Sequence, residues 1–132
     1  MIIFLEKEHI IKINRDLITM YSVKEDMGVK DVGLLESAIN RPKQSAFEKD
    51  GYETVFDKAA ALFESLAKNH PFYNGNKRTA FTSLVVFLYI NGYSFNMEQK
   101  QAEDFTVDMV NNKYAFEEIS NLIKDHCQQG NL

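Results

Sequence analysis

Two long runs with helical apolar spacing, residues 54–69 and 76–90, are separated by six residues that include Pro71 and the pair Asn74-Gly75. Pro71 pushes His70 out of helical geometry, and Gly75 supplies the positive φ that an Asn-Gly turn needs. The chain is therefore committed to a helix, a tight turn and a second helix near its middle. In the first run Phe56, Ala59, Ala60, Phe63, Leu66 and Ala67 form a wide apolar face. Thr54 is its candidate N-cap, with Asp57 three residues on. The second run ends in Leu84-Val85-Val86-Phe87-Leu88-Tyr89-Ile90, apolar almost all round, which predicts a helix buried at the centre of a bundle.

The flanks extend the same pattern. Ile10, Ile13, Leu17 and Tyr21 predict a helix over 7–21, and Leu34, Leu35, Ala38 and Ile39 one over 32–40, stopped by Pro42. Residues 41–53 read as a surface excursion. Two more helices fit roughly 98–111 and 114–127. The expectation is an all-α bundle of about six helices with almost no strand. At 132 residues without an internal linker, it is one domain spanning 1–132.

Charge and cysteine content narrow the function. Fifteen Lys and Arg against nineteen Asp and Glu leave a net −4, which argues against broad binding to nucleic acid or an anionic membrane. A single cysteine, Cys127, excludes an internal disulfide. The longest apolar stretch is far short of the ~20 residues that span a bilayer, and no targeting signal is seen, so the expected location is cytoplasmic. The five methionines read as fillers of core gaps. His9 and His126 read as structural, and Glu98, Glu103, Asp104 and Asp108 as a solvated helix face.

Chemistry concentrates in His70-Pro71-Phe72-Tyr73-Asn74-Gly75-Asn76-Lys77-Arg78. Lys77 and Arg78 fall in the first turn of a helix, where positive charge opposes the macrodipole by ~0.3–1 kcal/mol per residue. Free amides, the dipole and two cations together invite an anion, best a polyphosphate. Imidazole, here His70, is the side chain best suited to accept a proton near neutral pH. Asn74 and Asn76 offer amides for a metal or a phosphate oxygen, and Phe72 reads as the anchor that plugs into the core. Taken singly, a histidine at a helix end, an Asn-Gly pair and a Lys-Arg pair are ordinary cap, turn and surface. Their coincidence within nine residues is what points to a site. Gly75-Asn76-Lys77 lacks the earlier glycine and following Ser or Thr of a P-loop.

This segment resembles the signature of the Fic/Doc superfamily, and closely its Doc branch, the death-on-curing toxins: His-x-Phe-x-(Asp or Asn)-(Ala or Gly)-Asn-Lys-Arg is matched at every defined position. Residues 31–42, Lys58 to Leu62 and the Phe87-Leu88…Asn91-Gly92 ending are similar too. The resemblance implies a compact Fic/Doc helical bundle with the motif as an active-site loop. Fic enzymes transfer AMP from ATP to a protein hydroxyl, and normally carry Gly and a second Arg where this chain has Lys77 and Phe81. Doc proteins bind ATP in the reversed sense and transfer its γ-phosphate to a threonine of elongation factor Tu, stopping translation.

By that resemblance the chain is a kinase toxin. His70 is the base, Gly75, Asn76, Lys77 and Arg78 hold the phosphates, and Lys77 and Arg78 also absorb developing charge. Mg²⁺ accompanies ATP, with Asn74 as a protein ligand where many members carry a carboxylate. No inhibitory Ser/Thr-x-x-x-Glu helix is found, so control by a Phd-type antitoxin is implied, and the 41–53 region corresponds to the Fic flap that docks the target. Two alternatives stay open: an AMP transferase, and a catalytically weak antitoxin-binding protein that regulates its operon.

Overall fold

The computed structural model describes residues 1–46 and 49–130. In chain order it contains α1 (Lys7–Tyr21), α2 (Val32–Asn40), a 3-10 turn (Arg41–Lys43), β1 (Ser45–Ala46), β2 (Lys49–Asp50), α3 (Val55–Asn69), α4 (Asn76–Ile90), β3 (Tyr93–Phe95), α5 (Gln99–Val110), α6 (Phe116–Asp125) and β4 (Cys127–Gln129). Among the described residues, no helix is long and apolar enough to cross a membrane.

α3 and α4 pack along each other at the centre, with α1 on α4, α2 and α6 on α3, and α5 across both. α3 serves four helical neighbours because it is buried on most of its faces. Ala59, Ala60, Ala61, Phe63 and Ala67 are wholly buried, and the small alanines let adjacent helices approach closely. Phe63 stacks on Phe105 at 5.3 Å and meets the edge of Phe81 at 6.3 Å, so Phe63→Ala would cost roughly 3–5 kcal/mol.

The helix starts follow local chemistry. Thr54 accepts from Asp57 N at 3.0 Å and Asp31 accepts from Leu34 N at 3.0 Å. Asp57 Oδ2 accepts in return from Thr54 N at 3.4 Å, and Asp57 Oδ1 accepts from Ser120 Oγ at 2.6 Å, tying α6 to the start of α3. His9 Nδ1 accepts from Glu6 N, and His126 lies against Leu122 O and Gln101, which gives both histidines structural places. Glu98 caps α5 by accepting from Lys100 N and Gln101 N.

Three details differ from the sequence reading. The excursion at 41–53 contains a two-stranded antiparallel hairpin, with Ser45 opposite Asp50 and Ala46 opposite Lys49. The last helix stops at Asp125, and Cys127–Gln129 pairs antiparallel with Tyr93–Phe95. Strands of two or three residues carry no measurable period, so patterning cannot reveal them. Of the methionines, Met109 is fully buried, whereas Met20 and Met27 are 70% and 46% exposed. Met20 sits off the α1 stripe of Ile10, Asn14 and Ile18 that faces inward.

The hairpin is held from beneath by buried cations. Arg41 donates from Nη1 to Glu64 Oε1 at 2.7 Å and Ser65 Oγ at 3.0 Å, and from Nε to Tyr52 Oη at 2.8 Å. Its guanidinium also lies over the rings of Tyr52 and Phe116. Lys58, 4% exposed, donates to Tyr52 O and to Asp50 Oδ2 at 3.2 Å. Burial raises the pKa of the Cys127 thiol to about 11, so it stays protonated and unreactive at neutral pH.

Candidate active site

α3 ends because His70 takes a left-handed conformation, φ 51° and ψ 54°, ahead of Pro71. From there the chain makes a loop whose every turn is held. The Pro71 carbonyl accepts from Lys30 N at 2.8 Å and Asp31 N at 3.1 Å, and Tyr73 N donates to Gly28 O at 3.1 Å. Phe72 forms an isolated antiparallel bridge with Val29, and its ring is 1% exposed in the core. Inside the loop, the Asn76 amide spans the turn: Oδ1 accepts from Phe72 N and Nδ2 donates to Phe72 O, both at 2.9 Å.

Gly75 is the N-cap of α4 at φ 75°. Glycine is required there twice over, since a Cβ would also stand 3.0 Å from Ile18 Cδ1. No side chain caps the helix, so its first-turn amides are left for a ligand. Lys77 and Arg78 follow, both exposed. Among the described residues neither lies within ion-pair distance of a carboxylate. Arg78 rests its guanidinium on the Tyr21 ring at 4.6 Å, a contact that uses the flat face and leaves the N–H edge free to grip an anion.

These residues open onto a cleft of about 1000 Å³ between α1, the loop, α4 and α5. His70, Asn74, Gly75, Asn76, Lys77 and Arg78 line it, facing Leu17 and Tyr21 from α1, Ser22 just beyond its end, and Gln99, Ala102, Glu103, Thr106 and Val107 from α5. Phe72 lies beneath the cleft and fixes the loop's depth. A smaller cavity of about 290 Å³, lined by α5 and α6 residues including Phe105 and Leu122, contains no motif residue. Lys100, which lines it, is paired with Asp104 at 3.0 Å, and the start of α5 beside it is capped by Glu98.

Cations at an uncapped helix start, an exposed imidazole and an opposite wall that mixes apolar Leu17, Tyr21, Ala102 and Val107 with polar Gln99, Glu103 and Thr106 suit a ligand with a polyphosphate end and a less charged body. The two asparagines differ. Both amide atoms of Asn76 bond to Phe72, which makes its side chain a clamp of the turn, and its backbone N–H lies in the uncapped first turn. Asn74 donates through Nδ2 to Asp26 O at 2.9 Å, which leaves Oδ1 as its ligand atom. Among the described residues no group of three His, Cys, Asp or Glu could hold a metal. One neutral oxygen fits an ion that arrives with phosphates, as Mg²⁺ commonly does, and not a resident cation.

Three contributors escaped sequence reasoning. Asn14 and Tyr21 reach the loop from α1, and Glu103, read there as solvated surface, lines the cleft. Only the polar Asn14 within an otherwise apolar stripe gave a signal that could have been noticed.

Comparison with known proteins places the loop within a family match. The model of the Fic/DOC family matches residues 4–88, which hold α1 through nearly all of α4. A protein described as Toxin Doc, from Mycolicibacterium smegmatis, is 45% identical to this chain over 83 residues. That alignment takes in 63% of this chain and 59% of the relative, so the chain spans less than two-thirds of the relative's length.

Proposed function

The chain belongs to the Fic/Doc family, and from that footing we propose that it is the toxin of a toxin–antitoxin pair, a protein kinase that transfers the γ-phosphate of ATP to a Ser or Thr hydroxyl. Elongation factor Tu is the expected target and a Phd-type antitoxin the expected inhibitor. The observation that carries the reading is the pair of unpaired cations, Lys77 and Arg78, at the uncapped start of α4, opening onto the same cleft as His70.

Phosphoryl transfer rests on positioning and charge neutralisation more than on covalent help from the protein. His70 accepts the proton of the incoming hydroxyl, whose oxygen bonds to the γ-phosphorus as the bond to the β–γ bridging oxygen breaks. ADP leaves with that oxygen. Lys77, Arg78 and the amides of the first α4 turn hold the phosphates and take up the negative charge that develops. Asn74 Oδ1 would hold Mg²⁺, which would supply neutralisation of phosphate charge. Phe81 favours the kinase over AMP transfer. Where Fic enzymes present a second Arg, this ring packs edge-on against Phe63 and Phe95, and so supplies no cation for the Fic placement of ATP.

The test is an intact-mass spectrum of elongation factor Tu after incubation with the protein, ATP and Mg²⁺, beside a His70→Ala control. The expected result is a gain of one phosphoryl group, absent from the control. An adenylyl-sized gain would replace the kinase with an AMP transferase. Transfer undiminished in His70→Ala would remove His70 as the base. No gain on any translation factor, together with tight antitoxin binding, would favour a regulatory binding role.

A further inference from the structure

The 70–78 loop is held from outside by two neighbours. Residues 26–31 do it mainly with backbone hydrogen bonds, whereas α1 does it with side chains. Asn14, in the middle of α1 and 1% exposed, donates through Nδ2 to Asn74 O at 2.9 Å and to Thr79 Oγ1 at 3.0 Å. Ile18 comes next on the same stripe, with Cδ1 closing the space beside Gly75, and Tyr21 follows with its ring against Arg78. Spaced i, i+4 and i+7, these three side chains share one face of α1, and each touches a different point of the loop or of the α4 start.

An amide in the middle of an apolar helix face is costly to bury unless its hydrogen bonds are made. Packing between α1 and α4 alone would be served better by an aliphatic side chain. What Asn14 adds is a fixed relation between two points on either side of Gly75: the last carbonyl before the turn, and a side chain one helical turn beyond it. The geometry points to Asn14 as a positioning residue for catalysis, one that sets where α4 begins and hence where its first-turn amides, Lys77 and Arg78 face. The inference rests on the reading of this loop as a phosphate-binding element. Errors of about 1 Å in such an element are worth up to about 100-fold in rate.

The experiment uses the full chain, Mg-ATP as probe and calorimetric titration, with amide exchange and thermal unfolding on the same samples. Asn14→Leu removes both donors at similar volume. Thr79→Val removes only the second partner and leaves the bond to Asn74. The expected result for Asn14→Leu is a folded protein whose Kd for Mg-ATP rises about 10-fold or more and whose Phe72 and Tyr73 amides lose protection. Thr79→Val, which loses one of the two bonds, should weaken binding by a smaller factor than Asn14→Leu. If Asn14→Leu does not fold, Asn14→Asp, which keeps the shape and replaces the donor by an acceptor, carries the same expectation. Wild-type affinity in the Asn14 variant would overturn the proposal by reducing Asn14 to a packing partner of α4. Wild type that binds Mg-ATP yet transfers nothing would sink the kinase reading alone, and this titration would still decide the role of Asn14. Wild type that does not bind Mg-ATP would overturn both.

Discussion

Cations are put to opposite uses on the two central helices. Along α3, Arg41, Lys58 and Lys68 each reach a carboxylate, at 2.7, 3.2 and 3.2 Å. At the start of α4, Lys77 and Arg78 reach none among the described residues, and Arg78 has only the Tyr21 ring beneath it. The residue types are the same; the difference lies in whether the fold itself supplies the counter-charge. A cation neutralised within the fold contributes to the scaffold. One left without a counter-charge, at the end of a helix whose dipole already repels it, contributes nothing to folding and is explained by what it binds.

The sharpest way to break this contrast is to remove the unneutralised pair. Lys77→Ala combined with Arg78→Ala should weaken Mg-ATP binding by at least ~100-fold, the scale expected when charged partners of an anion are truncated. The thermal midpoint should hold or rise slightly, because each cation costs about 0.3–1 kcal/mol where it stands. Titration calorimetry and a melting curve on one sample read both quantities. A lower midpoint with unchanged affinity would reverse the assignment and make the α4 cations structural.

That contrast was only half visible in the sequence. The helices were legible because 15-residue runs such as 55–69 and 76–90 repeat their apolar pattern over about four turns. The loop was legible because its residues are contiguous and Lys77-Arg78 violates a local electrostatic preference. Contributions from distant parts of the chain were not. Asn14 lies 60 positions from the carbonyl it holds, and Arg41 lies 23 from Glu64, separations that no local pattern encodes. Asn76 shows the same limit from the other side: its amide reads as a possible ligand, and the part it plays as a clamp on Phe72 shows only in the folded turn.

On the neutralised side the expected effects exchange places. Arg41→Ala leaves Glu64, whose side chain is 15% exposed, without its main partner, and deprives Tyr52 and Ser65 of their donor. Breaking a partly buried pair of this kind should cost about 2 kcal/mol in urea unfolding, given that hydrogen bonds to charged groups are each worth ~1.5–3 kcal/mol. Affinity for Mg-ATP should stay within about 2-fold, because the cluster contributes no residue to the cleft. A comparable loss of affinity without loss of stability would mean that the hairpin, not only the loop, shapes the nucleotide site.

The finest test is pH. Burial on its own would raise the pKa of Glu64, but hydrogen bonds from Arg41 and Lys68 outweigh it and hold the carboxyl below the ordinary 4.5. A carboxyl depressed on folding stabilises the native state at pH above its unfolded pKa, and that stability is lost as pH falls through the folded value. Arg41, lifted above its usual value by the bonds to Tyr52 and Glu64 despite burial, stays charged throughout this window, so only the carboxyl titrates. Glu64→Gln should therefore lower stability at pH 7 and narrow its deficit as pH falls below 4.5, a change of less than about 1 kcal/mol for a pair still open to solvent. Urea unfolding of both proteins at pH 7, 5 and 3 would measure it. A deficit that stays constant across the series would show that shape and hydrogen bonding, rather than charge, hold the cluster. The contrast with the α4 cations would then rest on their exposure and not on counter-charge.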